Sequence, residues 1–327
     1  MTARPAAPLR VTVAVPTFRR PAELAGLLAA VRPHLDGLAG AVGAPTRGHV
    51  LVVDNDPDRS AEPVAAAGDE GVRYVHEPEP GIAAARDAAL QHSLDADVVV
   101  FIDDDELPQD RWLAELLAVW LENRPAVVVG RVTAEFEVEP DAWVRAGRFF
   151  ERRYRPRGTA VHAAAAGNLL LDVDQVRRSG VRFDRGLGLG GGEDTLFTSA
   201  LTRQGLRIVW APDSVVVDRV PASRLCRQWV LRRRFAHGTA TTTVQVRLAR
   251  SRLGRTRARA LGIVKGGGLM ASAAAHWLAG VATASLARRA RATADAWRGA
   301  GRVAGAVGLR FREYRRDATP APRTRVP

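Results

Sequence analysis

The chain predicts an α/β fold, a sheet covered by helices on both faces. Three observations carry this. Short continuous apolar runs recur along the first 130 residues, stretches of helical spacing separate them, and Gly, Pro, Asn and Asp mark the joints. A strand buried on both faces reads as an unbroken apolar run, and such strands joined by helices build a parallel sheet.

The elements follow in order. Arg10-Val11-Thr12-Val13-Ala14-Val15 is a β-branched run stopped by Pro16. From Pro21 to Val31, Leu24, Leu27, Leu28 and Val31 share one helical face. His49 to Val53 is a second strand, ended by the turn signal Asp54-Asn55-Asp56-Pro57. Val72 to Val75 is a third strand, and Ile82 to Leu94 a helix opened by Pro80-Gly81. Asp97 to Ile102 is a strand, Trp112 to Leu121 an amphipathic helix, and Ala126 to Val129 a buried strand. Beyond these come a strand at Asn168 to Leu171, a helix at Val173 to Ser179 and a helix at Glu193 to Gln204. Two further strands are expected, Leu206 to Trp210 and Val215 to Val217, and from Ala222 onward the pattern is helical. Ligands of such sheets bind beyond the carboxyl ends of the strands. That puts Thr17, Asp54 and Asp103 to Asp105 on one rim.

Composition narrows the function classes. Of the 327 residues, 46% are hydrophobic and 25% charged, an ordinary globular balance that argues against disorder throughout. The single cysteine, Cys226, excludes a disulfide-stapled fold and suits a reducing compartment. Met1 to Arg10 holds no long apolar run before a small-residue cleavage site, so a cytoplasmic protein is expected. The net charge of +13 is unevenly spread. Residues 219–327 carry 24 basic and three acidic side chains, a net of +21, against −8 for residues 1–218. A basic region of this kind seeks phosphates on nucleic acid, lipid headgroups or a substrate.

The sharpest feature is Phe101-Ile102-Asp103-Asp104-Asp105-Glu106-Leu107-Pro108. Four adjacent acids disfavour one another's ionisation unless a cation compensates. A hard divalent ion such as Mg²⁺ or Mn²⁺ would do so through oxygen ligands. The plainer reading is that these acids cap a helix starting near Pro108, because carboxylates favour helix N-termini. The same alternative applies to Glu193-Asp194, at the start of a helix that follows the glycine-rich run Gly186 to Gly192. Asp172 and Asp174 read most simply as a helix cap, Trp112 and Trp143 as core or acceptor-wall residues, and His162 and His237 as structural. Gly266-Gly267-Gly268 lacks the following Lys-Ser/Thr of a phosphate loop.

Taken in order, Pro16-Thr17-Phe18, Val52-Val53-Asp54-Asn55, Gly81 to Asp87, the acidic run with Trp112-Leu113, and Gly191-Gly192-Glu193-Asp194 resemble the family 2 glycosyltransferases. The resemblance covers about residues 10–240. It implies the GT-A fold, a Rossmann-like mixed sheet with helices on both faces, and an inverting transfer from a nucleotide-diphosphate sugar. It implies that Pro16, Thr17 and Phe18 lie against the base, that Asp54 hydrogen-bonds it, and that Arg86 stands near the base and diphosphate. Asp103 and Asp105 match the ends of the Asp-x-Asp motif around Asp104. Asp105 is the expected metal ligand, and Asp103 touches the ribose or the metal through water. Asp194 matches the proposed general base, with Glu193 before it. Two departures stand out: Asp87 replaces the common Asn, and Asp218, a weaker metal-ligand candidate, stands where many members carry His.

The expected enzyme uses Mn²⁺ or Mg²⁺, a UDP-, GDP- or dTDP-sugar, and an acceptor with a free hydroxyl. The cation and Arg86 would offset charge on the departing diphosphate, while Asp194 takes the acceptor proton. Two alternatives remain at this point. A nucleotidyltransferase would want glycines in the loop after the first strand, where Pro16-Thr17-Phe18-Arg19-Arg20 has only the charge. A catalytically silent scaffold would use only the basic region. Residues 1–220 are expected to form the catalytic domain, with a nucleotide-binding half at about 10–130 and an acceptor half at about 131–220. Residues 221–327 form a basic, mostly helical region. Leu261 to Ala287 is too rich in Gly and Ala for a spanning helix. Its flanking arginines suit an anionic membrane surface, the inner face for a cytoplasmic protein. A soluble bundle with a solvated basic face is the alternative. Nucleic acid is disfavoured because no reader motif accompanies the charge.

Overall fold

The computed structural model describes residues 7–309, apart from Asp69, Arg153 and Leu189. The glycine-rich run is therefore described without Leu189, and the end of the basic region, 310–327, lies outside the described residues.

The first half alternates strand and helix as its apolar pattern dictates. β1 (Leu9–Thr17), β2 (Thr46–Asp54), β3 (Val72–His76) and β4 (Val98–Ile102) run parallel. Between them lie α1 (Pro21–Asp36), α2 (Leu38–Val42), α3 (Glu62–Ala66) and α4 (Ile82–Gln91). Next come β5 (Glu106–Pro108), α5 (Trp112–Asn123), β6 (Val127–Phe136), α6 (Ala142–Gly147), β7 (Asn168–Asp172), α7 (Val173–Ser179), α8 (Glu193–Arg203) and β8 (Ile208–Val220). All eight strands join one mixed sheet in the order β3-β2-β1-β4-β7-β6-β8-β5. β7 is antiparallel to both neighbours and β5 to β8, while β6 and β8 pair parallel, so the expectation of parallel strands fails at β5 and β7 only.

Side-chain alternation gives the sheet two cores. Val11, Val13 and Val15 face Leu24, Leu27, Leu113 and Leu116 of α1 and α5. Ala14 and Phe101 face Ala85, Val176 and Phe197 on the other side, where Phe183 stacks on Phe197 at 4.1 Å. Trp112 is core, its Nε1 donating to Asn168 Oδ1 at 2.9 Å. Asp172 caps α7 by accepting from the Gln175 N–H, as the sequence suggests.

Two expectations are corrected. No helix starts near Pro108. Glu106–Pro108 pairs antiparallel with β8, and α5 begins four residues later behind Arg111, which adopts a left-handed φ of 61°. The acidic run therefore does not cap a helix. The two strands expected at 206–217 are one, β8, whose pairing with β6 shifts register between Gly130 and Arg131. Pro212, Asp213 and Ser214 fall within that irregularity.

Among its described residues, the basic region forms three α-helices, α9 (Arg227–Leu248), α10 (Arg252–Ala282) and α11 (Leu286–Ala306). They meet through glycines. A Cβ on Gly238 would lie 2.1 Å from the Arg298 carbonyl oxygen, and one on Gly266 2.7 Å from that of Gly299. The Gly266 to Gly268 run is thus helix interior rather than a ligand loop. Ser251 and Ser285 cap α10 and α11 through their hydroxyls. Among the described residues, no helix is long and apolar enough to cross a membrane.

Candidate active site

Strand register builds the rim. Thr17 stands opposite Asp54, and Asp54 opposite His76, so the carboxyl ends of β1, β2 and β3 align. Asp103 to Asp105 follow β4 onto the same edge, and β5 brings Glu106 opposite Asp218. The rim predicted from sequence is therefore present.

Its second strand end is braced internally. Asp54 is fully buried and accepts from the N–H groups of Asp56 and Ala61 at 2.9 and 2.8 Å, and from the Tyr74 hydroxyl. Asn55 donates to the carbonyls of Glu77 and Glu79 and accepts from the Gly81 N–H at 2.9 Å. This pins the loop before α4. Gly81 has φ +130°, and a Cβ there would meet the Gly188 carbonyl oxygen at 2.8 Å. The glycine-rich run thus packs against the start of α4.

Opposite charges interlock around the acids. Arg86, almost fully buried, donates to Glu193 and, at 2.9 Å, to Asp103. Arg20 Nη1 donates to Asp104 and Asp105, each at 2.8 Å, and Thr17 Oγ1 donates to Asp104 at 2.8 Å. Arg224 reaches Asp105 at 3.4 Å and lies 3.8 Å from Asp218 Oδ1. Sequence reasoning gave Arg20, Arg224 and Asn55 no site role, and took Glu106 only as one of the four acids a cation would compensate. The signal for Arg20 was its place three residues beyond β1, on a rim whose acids need cations.

Burial dominates the titration here. It raises Asp104 to about 6, although Arg20 and Thr17 pull the other way. Glu106, sealed beneath the rim, is raised by burial and then by Asp103, and Asp218 by burial and then by Asp105. Glu193 is raised by burial and by Asp194, against the pull of Arg86. Asp194 itself is half-buried. Its Oδ1 accepts from the Thr195 N–H and hydroxyl, and Oδ2 carries no hydrogen bond among the described residues.

Hard carboxylate oxygens suit Mg²⁺ or Mn²⁺. Buried Asp218 Oδ1 has no hydrogen-bond partner among the described residues, an orphan that a cation would satisfy. In this conformation, however, Arg20 and Arg224 hold Asp105 and Arg86 holds Asp103. Among the described residues, no three His, Cys, Asp or Glu side chains gather as a metal-holding group. The predicted trio Asp103, Asp105 and Asp218 shares a neighbourhood without converging. His162 lies away from the rim, its carbonyl accepting from Thr202 of α8.

A GT-A glycosyltransferase fold is the class that this mixed sheet and its C-terminal helices define. The chain belongs to glycosyl transferase family 2, whose family model matches residues 12–178, and it is a glycosyltransferase. It is 34% identical over 240 residues to the succinoglycan biosynthesis protein ExoM of Rhizobium meliloti (strain 1021), covering 70% of this chain and 73% of that one. The mannosyltransferase PcManGT from Pyrobaculum calidifontis, solved with GDP-Man and Mn²⁺, superposes with a TM-score of 0.59 at 22% identity. That match covers 92% of this chain and 88% of the other. S. aureus TarS matches with a TM-score of 0.52 at 15% identity, over 77% of this chain. The matched part is 42% of TarS, so the chain spans about two fifths of that longer protein. These two likenesses concern the fold.

Proposed function

We propose that the chain transfers a sugar from a nucleoside-diphosphate donor to an acceptor hydroxyl by direct displacement, inverting the anomeric centre. The observation that supports this is the meeting of Arg86, Asp103 and Glu193 beside Asp194 on the rim of β1, β2 and β4. Pro16, Thr17, Phe18 and Asp54 form the base side of the donor site, with Asp103 and Asp104 toward the ribose. Asp105, with Asp103 and Asp218, holds a divalent cation, Mn²⁺ or Mg²⁺, once Arg20 and Arg224 release their carboxylates. Such an ion would offset the charge that develops on the departing diphosphate. Arg86 adds a fixed positive charge there, already aligned by Glu193, so little reorganisation is needed at the moment of transfer. Thr195 fixes the Asp194 carboxylate through Oδ1, which leaves Oδ2 to take the acceptor proton.

The membrane-surface reading is kept for the basic region. Val264, Leu278 and Val281 of α10 are 49–69% exposed, and arginines 250 to 259 and 288 to 291 flank them. An apolar strip between basic ends suits an anionic bilayer surface.

The test is transfer from a panel of UDP-, GDP- and dTDP-sugars with Mn²⁺, repeated with chelator. Activity with Mn²⁺, its loss with chelator and an inverted product anomer are expected. Asp194→Asn should keep donor affinity while turnover falls about 10²-fold or more. Near-normal turnover removes Asp194 as the base.

A further inference from the structure

Asp194 stands in the first turn of α8, directly behind the glycine-rich run, so its position depends on what anchors that run and that helix. The anchor is α9. At the entry to the run, Asp184 Oδ1 accepts from the Gly186 N–H at 2.9 Å. Arg247 of α9 donates from Nη2 to the Gly186 carbonyl at 3.2 Å, and its Nη1 lies 3.2 Å from Asp184 Oδ2. The three residues close a ring that engages both backbone groups of Gly186. At the exit of the run, Gly192 has φ +85°, and a Cβ there would stand 3.0 Å from the Ala240 Cβ of α9. Leu187 of the run and Leu196 of α8 pack with Val244 and Leu248 in a small core of their own. At the far end of α8, Arg203 donates to the Leu248 carbonyl at 2.7 Å. Facing the other way, Arg185 donates to Asp87 at 3.0 Å and to Glu79 at 2.8 Å. The entry to the run is thus held between α4, which carries Arg86, and α9. The Arg247–Asp184 pair is about one-third exposed, and such pairs contribute little to global stability. What this one does is fix a local geometry. Transfer is sensitive to that, because a reacting group displaced by about 1 Å can cost about 10²-fold in rate.

We propose that Arg247 is a positioning residue for the transfer: by clamping Asp184 and Gly186 it sets the glycine-rich run, and through the run the Asp194 carboxylate. The transfer site then extends past residue 220 into α9. This rests on reading Asp194 as the base of that reaction. Arg247 itself touches no substrate in this scheme and acts only through the run and α8.

The experiment uses the full chain with Mn²⁺ and reads hydrolysis of whichever UDP-, GDP- or dTDP-sugar it turns over, water standing in for the acceptor hydroxyl. In Arg247→Gln, kcat should fall about tenfold or more, while KM for the donor and the calorimetric affinity for the matching nucleoside diphosphate stay native. Asp184→Asn keeps an oxygen for the Gly186 N–H and removes the charge that faces Arg247. It should lose a similar factor, and the double variant should lose no more than either single one, because the two side chains act as a unit. Amide exchange should quicken at Gly186, Gly192 and Asp194 in Arg247→Gln and stay native in β1, β2 and β4, with the melting temperature little changed. Native kcat in Arg247→Gln overturns the proposal, as do multiplied losses in the double variant. So does a fall in nucleotide affinity that matches the fall in kcat, or exchange that quickens equally across the sheet, since either would make Arg247 a general support of the fold. If the native chain turns over no nucleotide sugar, the transfer reading falls. Amide exchange then decides alone whether Arg247 holds the run, and native exchange at Gly186, Gly192 and Asp194 in Arg247→Gln overturns that as well.

Discussion

Asp87 stands where the family commonly carries asparagine, and its surroundings account for the exchange. Arg182 grips both of its oxygens at 2.7 Å, and Arg185 adds a third bond at 3.0 Å. The residue is buried, which favours the neutral acid, yet the two guanidiniums outweigh burial and hold its pKa below the usual carboxylate range. A folded pKa below the unfolded one means that the unfolded chain binds the proton more readily. The carboxylate therefore stabilises the fold above its unfolded pKa of about 3.9, and the gain fades as pH falls through the folded value. Asp87→Asn should cost about 2 kcal/mol at pH 7, the scale of hydrogen bonds to charged groups. The gap to the native chain should close under acid conditions. Urea unfolding of both proteins at pH 7 and near pH 3 checks this, and a gap independent of pH would mean that the charge does not matter. The same ion pairs tie the segment before the glycine-rich run to α4, at the residue next to Arg86. A substitution that reads in the sequence as a departure from the family thus has a local partner some 95 residues away, which no spacing rule could reveal.

Between elements, legibility followed whether a signal was local. β1, β2 and β4 are continuous apolar runs, so their burial on both faces and their shared rim could be read directly. β5 could not be read. Three residues of an acidic run become a strand only because β8 lies alongside, and a pairing 112 positions away leaves no periodic trace. Arg20 and Arg224 were missed for the same reason, since ion pairing across the rim is set by tertiary placement. In the basic helices, glycine content blurred the reading in another way. Gly301 and Gly267 look alike in sequence, but a Cβ on Gly301 would meet the Phe235 carbonyl oxygen at 2.1 Å, while one on Gly267 meets nothing within 4 Å. Alanine is worth about 1 kcal/mol over glycine in a helix interior, whereas forcing a tight interface apart costs about 1–3 kcal/mol or more. Gly267→Ala should therefore raise the melting temperature, and Gly301→Ala should lower it by separating α9 from α11. Thermal unfolding of the two variants distinguishes the cases. Equal effects would show that the close helix contact carries no stability.

Across the whole molecule, charge and apolar surface are segregated in a way that neither part explains alone. Residues 1–218 carry a net −8 and residues 219–327 a net +21. In the intervening sequence, no acidic residue occurs from Arg219 to Ala294. On α10, exposed Val264, Leu278 and Val281 lie between the basic ends. Arginines near an anionic bilayer contribute about 1 kcal/mol each, and that attraction falls away with salt. Burial of exposed aliphatic side chains adds about 1.5–3 kcal/mol each when complete, and salt does not weaken it. The two contributions predict different signatures. Full-length protein should sediment with phosphatidylglycerol vesicles at low salt and partly leave them as salt rises. A Val264→Asp, Leu278→Asp double variant, altered only on exposed positions, should bind weakly at every salt concentration. If arginine attraction alone were at work, the double variant would follow the native salt curve at slightly lower affinity. If the native protein bound phosphatidylcholine vesicles equally well, the basic flanks would have no part in docking. Only loss of binding in both directions, by salt and by the two aspartates, makes α10 the surface on which the transferase rests.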